Sequence, residues 1–295
     1  MKVLITGYRG QLGTDLMRSA QECGIDALGV GRDECDITCL KSIEHIFSTT
    51  GPFDLVINAA AYTAVDQAES DRQRAYAVNR DGAGYLSRMC QQDGTPLIHI
   101  STDYVFGGMQ TRPCRPSDPI SPKGVYARSK AAGEEAVRRH SDQHVIVRVS
   151  WLFGLHGNNF VKTMLKLGGT KDTLRVVDDQ IGSPTYARDL AGALMQVAQK
   201  IREGLTPWGT YHYCNTGALT WYAFARKIFT FARPYEKLAV REILSILTAH
   251  YPTAAPRPHY SVLDCSNFDQ TFNIPRRSWE SALKEMIGDL YTSHS

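Results

Sequence analysis

Val3-Leu4-Ile5-Thr6-Gly7-Tyr8-Arg9-Gly10-Gln11-Leu12-Gly13 reads as a strand, a glycine-rich turn and the first residues of a helix. Val3–Thr6 is a continuous apolar run of strand length, and helical spacing of apolar residues begins directly after it, over about 11–22. The glycines fall as GxxGxxG. Gly7 can make the tight turn, Gly10 lets backbone N–H groups approach a pyrophosphate, and Gly13 lets helix and strand pack closely. The N-terminus of the helix adds partial positive charge facing the phosphates. A glycine triplet alone is weak evidence, but one placed between a strand and a helix predicts a dinucleotide site.

Four more short runs follow at regular intervals: Ala27–Val30, Leu55–Asn58, Leu97–Ser101 and Val145–Val149. Helical spacing fills the gaps over about 41–49, 71–92 and 124–140. Short apolar strands alternating with helices predict an α/β fold, a Rossmann-type doubly wound parallel sheet with ligands at the C-terminal strand ends. Beyond residue 150 the pattern loosens. Phe160–Leu167, 186–203, 220–232 and 278–290 read as helices, and Pro252, Pro256 and Pro258 mark a loop. Residues 1–150 are therefore expected to form the NAD(P)-binding Rossmann domain. Residues 151–295 are expected to form mainly a smaller substrate-binding lobe, with about 186–215 returning to the Rossmann domain.

Bulk properties exclude several classes. The 295 residues are 43% hydrophobic and 21% charged, ordinary for a globular protein. A formal charge of +3 without a basic run gives no reason to expect nucleic acid. No segment has the 18 or so apolar residues of a membrane helix, and Met1-Lys2 leads straight into a run too short for a secretory leader. The seven cysteines are scattered, with no CxxC pair, which fits a reducing compartment. A cytoplasmic location is expected.

Tyr126-Ala127-Arg128-Ser129-Lys130 has the form YxxxK, which puts Tyr126 and Lys130 on one face of a helix. A phenol titrates near pH 10, and a nearby ammonium favours its phenolate and draws that value toward neutrality. On its own such a pair occurs in many helices. Here Ser101-Thr102-Asp103-Tyr104 ends the Leu97–Ser101 strand at the ligand-binding edge, so a hydroxyl is available to hydrogen-bond a carbonyl. Asn58-Ala59-Ala60-Ala61 ends the preceding strand, with small residues that let a cofactor lie against the backbone.

GxxGxxG, the Asn58–Ala61 string, the Thr102 hydroxyl, Asn79 and YxxxK, in that order, resemble the extended short-chain dehydrogenase/reductase superfamily. Longer strings narrow the resemblance to the dTDP-4-dehydrorhamnose reductase family. They include Asn58 through Asp66, Ser101 through Phe106, Trp151-Leu152-Phe153-Gly154 and Asp178 through Thr185. Leu219-Thr220-Trp221-Tyr222, Arg257-Pro258 and Ser261 through Asp264 extend it over nearly the whole chain. The resemblance implies an NAD(P)H-dependent oxidoreductase that reduces C4 of dTDP-4-dehydro-β-L-rhamnose, a step in making a deoxysugar donor for polysaccharides. It implies Thr102, Tyr126 and Lys130 as catalytic residues and Thr102, Asp103, Tyr126 and Trp151 as substrate contacts. The cofactor would meet Gly7, Gly10, Gln11, Leu12, Gly13, Asp36, Ile37, Ala59, Ala60, Ala61, Tyr62, Thr63, Tyr126 and Lys130.

The chain departs from that pattern where many relatives end the second strand with an acid that binds the adenosine ribose. Gly31 stands there and Arg32 follows, which favours NADPH over NADH. Some members bind magnesium through glutamates at a dimer contact. Those glutamates do not map residue by residue onto this chain, so no metal is expected, and a homodimeric assembly stays open. Two other readings share the scaffold: a reductase or epimerase of a different 4-keto-6-deoxysugar nucleotide, and a non-catalytic regulatory subunit.

Overall fold

A computed structural model describes residues 1–292. The central sheet holds β1 (Lys2–Thr6), β2 (Asp26–Val30), β3 (Leu55–Asn58), β4 (Leu97–Thr102), β5 (His144–Val149) and, arriving from the second half, β10 (Gly209–Tyr213). Its order is β10-β5-β4-β3-β1-β2, with every neighbour parallel. Each connection between neighbours must therefore cross over, and helices cover both faces. On one face α1 (Gln11–Glu22) and α7 (Ala187–Arg202) bury Leu12, Leu16, Leu190 and Leu194 against Val3, Ile5 and Val147. On the other, α2 (Leu40–Thr50), α4 (Ala83–Asp93) and α5 (Gly124–His140) bury Ile43, Leu86 and Val137 against Leu4, Val56 and Ile146. Alternate residues of one strand thus serve opposite cores, which is why these strands read as unbroken apolar runs.

The stretch expected as one helix over 71–92 is interrupted. A short α3 (Arg72–Tyr76) opens into a π-turn over Ala77–Gly82 before α4. The backbone carbonyl of Asn79 bulges toward α5, where only a glycine fits: a Cβ on Gly133 would sit 2.0 Å from it.

The second half adds α6 (Phe160–Gly168), α8 (Trp221–Ala232) and α10 (Trp279–Thr292) around a separate core of Phe153, Leu165, Phe224, Phe229 and Leu283. Three small sheets pin it together: β6 (Leu152–Phe153) with β9 (Thr185–Tyr186), β7 (Thr173–Val177) with β12 (Glu242–Ile246), and β8 (Ile181–Gly182) antiparallel to β11 (Leu219–Thr220). β10 and α9 (Ser266–Phe272) return to the first core, where Tyr211, Phe268 and Phe272 pack together. Among the described residues no helix is long and apolar enough to cross a membrane.

Candidate active site

The sheet order reverses between β3 and β2, on either side of β1, and a cleft of about 510 Å³ opens over the strand ends there. Its floor is backbone. Gly7 adopts φ +70°, and a Cβ on it would lie 2.7 Å from the Ala60 nitrogen; a Cβ on Gly13 would lie 2.1 Å from the Gly7 carbonyl oxygen. Only glycine allows the turn, β3 and α1 to approach so closely. Gly10 caps α1 without a side chain, so the first N–H groups of the helix have no side-chain partner. A cradle of uncapped N–H groups fits a pyrophosphate.

The cleft brings together Gly7, Gly10, Arg32, Asp36, Ile37, Ala59, Ala60, Ala61 and Tyr62. It does not include the other expected cofactor residues in its wall. Leu12 is in the core, Gln11 accepts a hydrogen bond from the Asn159 amide at 2.9 Å, and Thr63 is exposed. Arg9, which sequence reasoning passed over as a variable position of the glycine motif, lines the cleft as well. Its guanidinium donates to Asp33 at 3.2 Å and to Glu34, while Glu34 accepts the Gly31 N–H at 2.9 Å. Arg32 stays 70% exposed and pairs with Asp36 at 3.4 Å. Two guanidiniums therefore flank the turn after β2.

Beside this cleft, at the end of β4, lie the hydroxyls singled out from sequence. The Thr102 hydroxyl donates to Asp103 Oδ1 at 3.0 Å and accepts the Tyr104 N–H at 3.2 Å. It lies near enough to the Tyr126 phenol to act on its ionisation. Loss of water pushes that phenol upward in pKa; the Thr102 hydroxyl works the other way. Lys130, one turn along α5, is buried and donates from Nζ to the Ile100 carbonyl at 2.6 Å. Burial draws its ammonium down to about 8, with Glu134 opposing. The contact expected between the ammonium and the phenol gives way here to one between the ammonium and the β4 backbone.

Asn79 joins the cofactor side to the helix that carries Tyr126. Its amide accepts the Tyr62 N–H at 2.9 Å and donates to the Ser129 hydroxyl at 2.9 Å. Asp103 is fully buried, and desolvation raises its carboxyl to about 7, with the Ser261 and Thr102 hydroxyls opposing. No group meets its Oδ2 in hydrogen-bond geometry.

A second cleft, about 570 Å³, reaches the neighbourhood of Tyr126 through Tyr104. The Tyr126 ring packs edge-on against Tyr104, 5.5 Å between centroids, and Tyr104 lines this cleft. Phe160 and Trp221 form an aromatic wall, and Arg175 and Arg257 supply cationic groups. Arg257 donates to the Tyr104 hydroxyl at 2.9 Å and to Asp66, which also accepts the Ala255 N–H at 3.0 Å. Trp151, expected against a sugar, is not in that wall. It holds a left-handed backbone, φ +47°, its ring stacks on Trp221 at 3.5 Å, and Gly182 leaves room for its edge. Trp221 is the aromatic residue that sequence reasoning missed. The signal was its place within the Leu219–Tyr222 string, read then only as part of a longer likeness. Among the described residues no group of three His, Cys, Asp or Glu could hold a metal ion.

A doubly wound sheet with a glycine-floored dinucleotide cleft, and a threonine–tyrosine pair at its edge, defines a nucleotide-dependent oxidoreductase of the short-chain dehydrogenase/reductase class. Within that class the chain belongs to the family of the RmlD substrate binding domain, whose model matches residues 1–292. It is 42% identical to the spore coat polysaccharide biosynthesis protein SpsK of Bacillus subtilis, over 97% of this chain and 96% of that one. It is 42% identical to the dTDP-4-dehydrorhamnose reductase of Aggregatibacter actinomycetemcomitans, over 97% and 98%. The crystal structure of dTDP-4-dehydrorhamnose reductase from Bacillus anthracis in complex with NADP superposes with a TM-score of 0.90 at 37% identity, covering 98% of this chain and 99% of that one.

Proposed function

We propose that this protein reduces the C4 keto group of dTDP-4-dehydro-β-L-rhamnose to give dTDP-L-rhamnose, with NADPH preferred over NADH. The observation that carries the reading is the Thr102 hydroxyl at the end of β4 beside the Tyr126 phenol, with a cleft suited to a dinucleotide at the neighbouring strand ends and an aromatic, cationic cleft lined by Tyr104, whose ring packs on Tyr126. In the first, the bare start of α1 holds the pyrophosphate, and Arg9 and Arg32 favour a 2′-phosphate. Bound there, the cofactor supplies hydride. In the second, Trp221 and Phe160 offer faces to rings, and Arg257 and Arg175 offer charge to a diphosphate.

On substrate binding Thr102 turns its one hydroxyl proton from Asp103 to the substrate carbonyl, and Tyr126 gives its proton to the C4 oxygen as charge develops there. The raised pKa of the phenol in the structure keeps that proton in place until it is needed. Lys130, anchored to the Ile100 carbonyl and still largely cationic at neutral pH, places positive charge one turn from Tyr126. Asp103, next to Thr102, holds that hydroxyl until substrate binds, and its contact with the sugar is what the family resemblance implies. The seven free thiols suit the cytoplasm.

The test is to offer NADPH with a panel of dTDP- and other nucleotide-linked 4-keto sugars and to follow loss of the reduced cofactor. The expected result is fastest oxidation with dTDP-4-dehydro-β-L-rhamnose and little cofactor bound to the purified protein. No turnover with any member would sink the reductase reading in favour of a binding subunit. Tightly held cofactor with no net oxidation would favour an epimerase.

A further inference from the structure

Cys214 follows β10 directly, and Cys265 precedes α9. They are 51 residues apart, yet their sulfurs lie 3.4 Å from each other, one S–H donating to the other sulfur. Both line a third cleft of about 660 Å³, which shares no lining residue with the two clefts described above. Arg276 shares that cleft and donates to the Cys214 carbonyl at 2.8 Å. The hydrogen bond from Cys265 lowers the pKa of the Cys214 thiol, burial opposing and the Arg276 charge assisting, so Cys214 is the readier of the two to lose its proton. Cys114 packs in the same small apolar cluster. The described residues nonetheless offer no group of three that could hold a metal. Cys214 and Cys265 are only 2% and 3% exposed, but they line an open cleft and hold their sulfurs close enough to bond, which sets them apart from the other buried cysteines.

We propose that Cys214 and Cys265 are a modification site: a dithiol that peroxide converts reversibly to a disulfide. The Cys214 thiolate attacks one peroxide oxygen, the O–O bond breaks, hydroxide leaves and Cys214 becomes a sulfenic acid. The Cys265 sulfur then attacks the Cys214 sulfur, the S–O bond breaks, and the leaving oxygen takes the Cys265 proton as it departs as hydroxide and then water. Two thiols are oxidised and one peroxide is reduced to two waters. The sulfurs need close by only the gap between 3.4 Å and the S–S bond length of about 2.05 Å. The bond joins the end of the central sheet to the Ser261–Cys265 segment, whose Ser261 N–H donates to the Ile181 carbonyl at 2.8 Å. A covalent tie across that sequence separation restricts the unfolded chain, so the oxidised protein melts several degrees higher.

The full-length protein is reduced, exposed to hydrogen peroxide, alkylated and digested without reductant, and the peptides are identified by mass. The expected product joins the Cys214 and Cys265 peptides, disappears on treatment with a dithiol reductant, and accompanies a rise in Tm. Cys214→Ala and Cys265→Ala each remove both the linked peptide and the rise, whereas Cys114→Ala retains them. The wild-type peptide map stands even if a variant folds poorly. The proposal is overturned if peroxide oxidises only the exposed Cys23 and Cys39 and both other thiols alkylate on unfolding. A bond from either sulfur to Cys114 instead overturns it equally.

Discussion

The first and second clefts are built from different materials. The floor of the first is backbone: glycines at 7, 10 and 13 and the alanines after β3 leave a space that their own side chains cannot fill. The second is side chains, delivered by segments as far apart as Asp66, Phe160, Trp221 and Arg257, with Trp151 stacked behind one of them. A backbone cleft suits a ligand common to many enzymes. A side-chain cleft can change its occupant by a few substitutions, and this is where a family sharing one scaffold separates its substrates. The two are joined by few connections, among them Asn79 between Tyr62 and Ser129 and the edge contact of Tyr104 on Tyr126.

Substitutions should therefore sort by cleft. The largest effect is expected at the junction. Tyr126→Phe removes only a hydroxyl and should lower kcat by about 10²-fold or more, the usual worth of a positioned acid, with both ligands still bound. A variant reducing substrate at the wild-type rate would assign the proton to another group. Next comes the second cleft. Trp221→Ala should raise KM for the sugar nucleotide by about tenfold, the equivalent of roughly 1.4 kcal/mol from a lost aromatic face, and leave the Kd of NADPH unchanged. Trp151→Ala should act in the same direction and more weakly, through loss of the stack beneath Trp221. Calorimetry showing both ligands weakened equally would dissolve the distinction between the clefts.

A smaller effect belongs to the rim of the first cleft. Arg9→Ala combined with Arg32→Ala should reduce the ratio of kcat/KM for NADPH over NADH by up to about tenfold while sparing NADH activity. Both guanidiniums are exposed and already paired with carboxylates, which limits the change. Equal losses with both cofactors would show that the pair shapes the loop rather than selecting the phosphate.

The smallest effect is in stability. The carboxyl of Asp103 titrates near 7 in the fold against an ordinary 3.8, so the native state holds its proton more tightly than the unfolded chain. Its contribution is full below about pH 4 and is lost as pH rises to about 7. Asp103→Asn should consequently gain Tm relative to the native protein at pH 8 compared with pH 5. A difference in Tm that does not change between the two pH values would mean that Asp103 is not held protonated.

How far each cleft could be read from the chain follows from the same contrast. The apolar runs at 3–6, 55–58 and 97–101 and the glycine turn are local signals, and the fold they predict is the fold observed. Gly7, Gly10 and Ala59 to Ala61 were legible because they adjoin those runs and Arg32 because it follows β2, whereas Asp36, Ile37 and Tyr62 came only from the family resemblance. Arg9 was missed because a glycine motif is read by its glycines. The π-turn at Asn79 was invisible because its cause is tertiary: the close approach of Gly133 on α5. α9 was missed because only Phe268 and Phe272 of its seven residues anchor it. In the second half, Trp151 adjoins a sheet strand and drew the role. Trp221 reaches the cleft through the packing of α8 against α6, which no local period encodes.

The most direct test of the whole arrangement follows a labelled hydride. NADPH deuterated at the transferable position of its nicotinamide is turned over with dTDP-4-dehydro-β-L-rhamnose, and the product is analysed by NMR. If the two clefts face one another across Tyr126, deuterium appears at C4 of dTDP-L-rhamnose, one atom for each cofactor oxidised. Product free of deuterium, or an epimer formed while the label stays on the cofactor, would contradict the account.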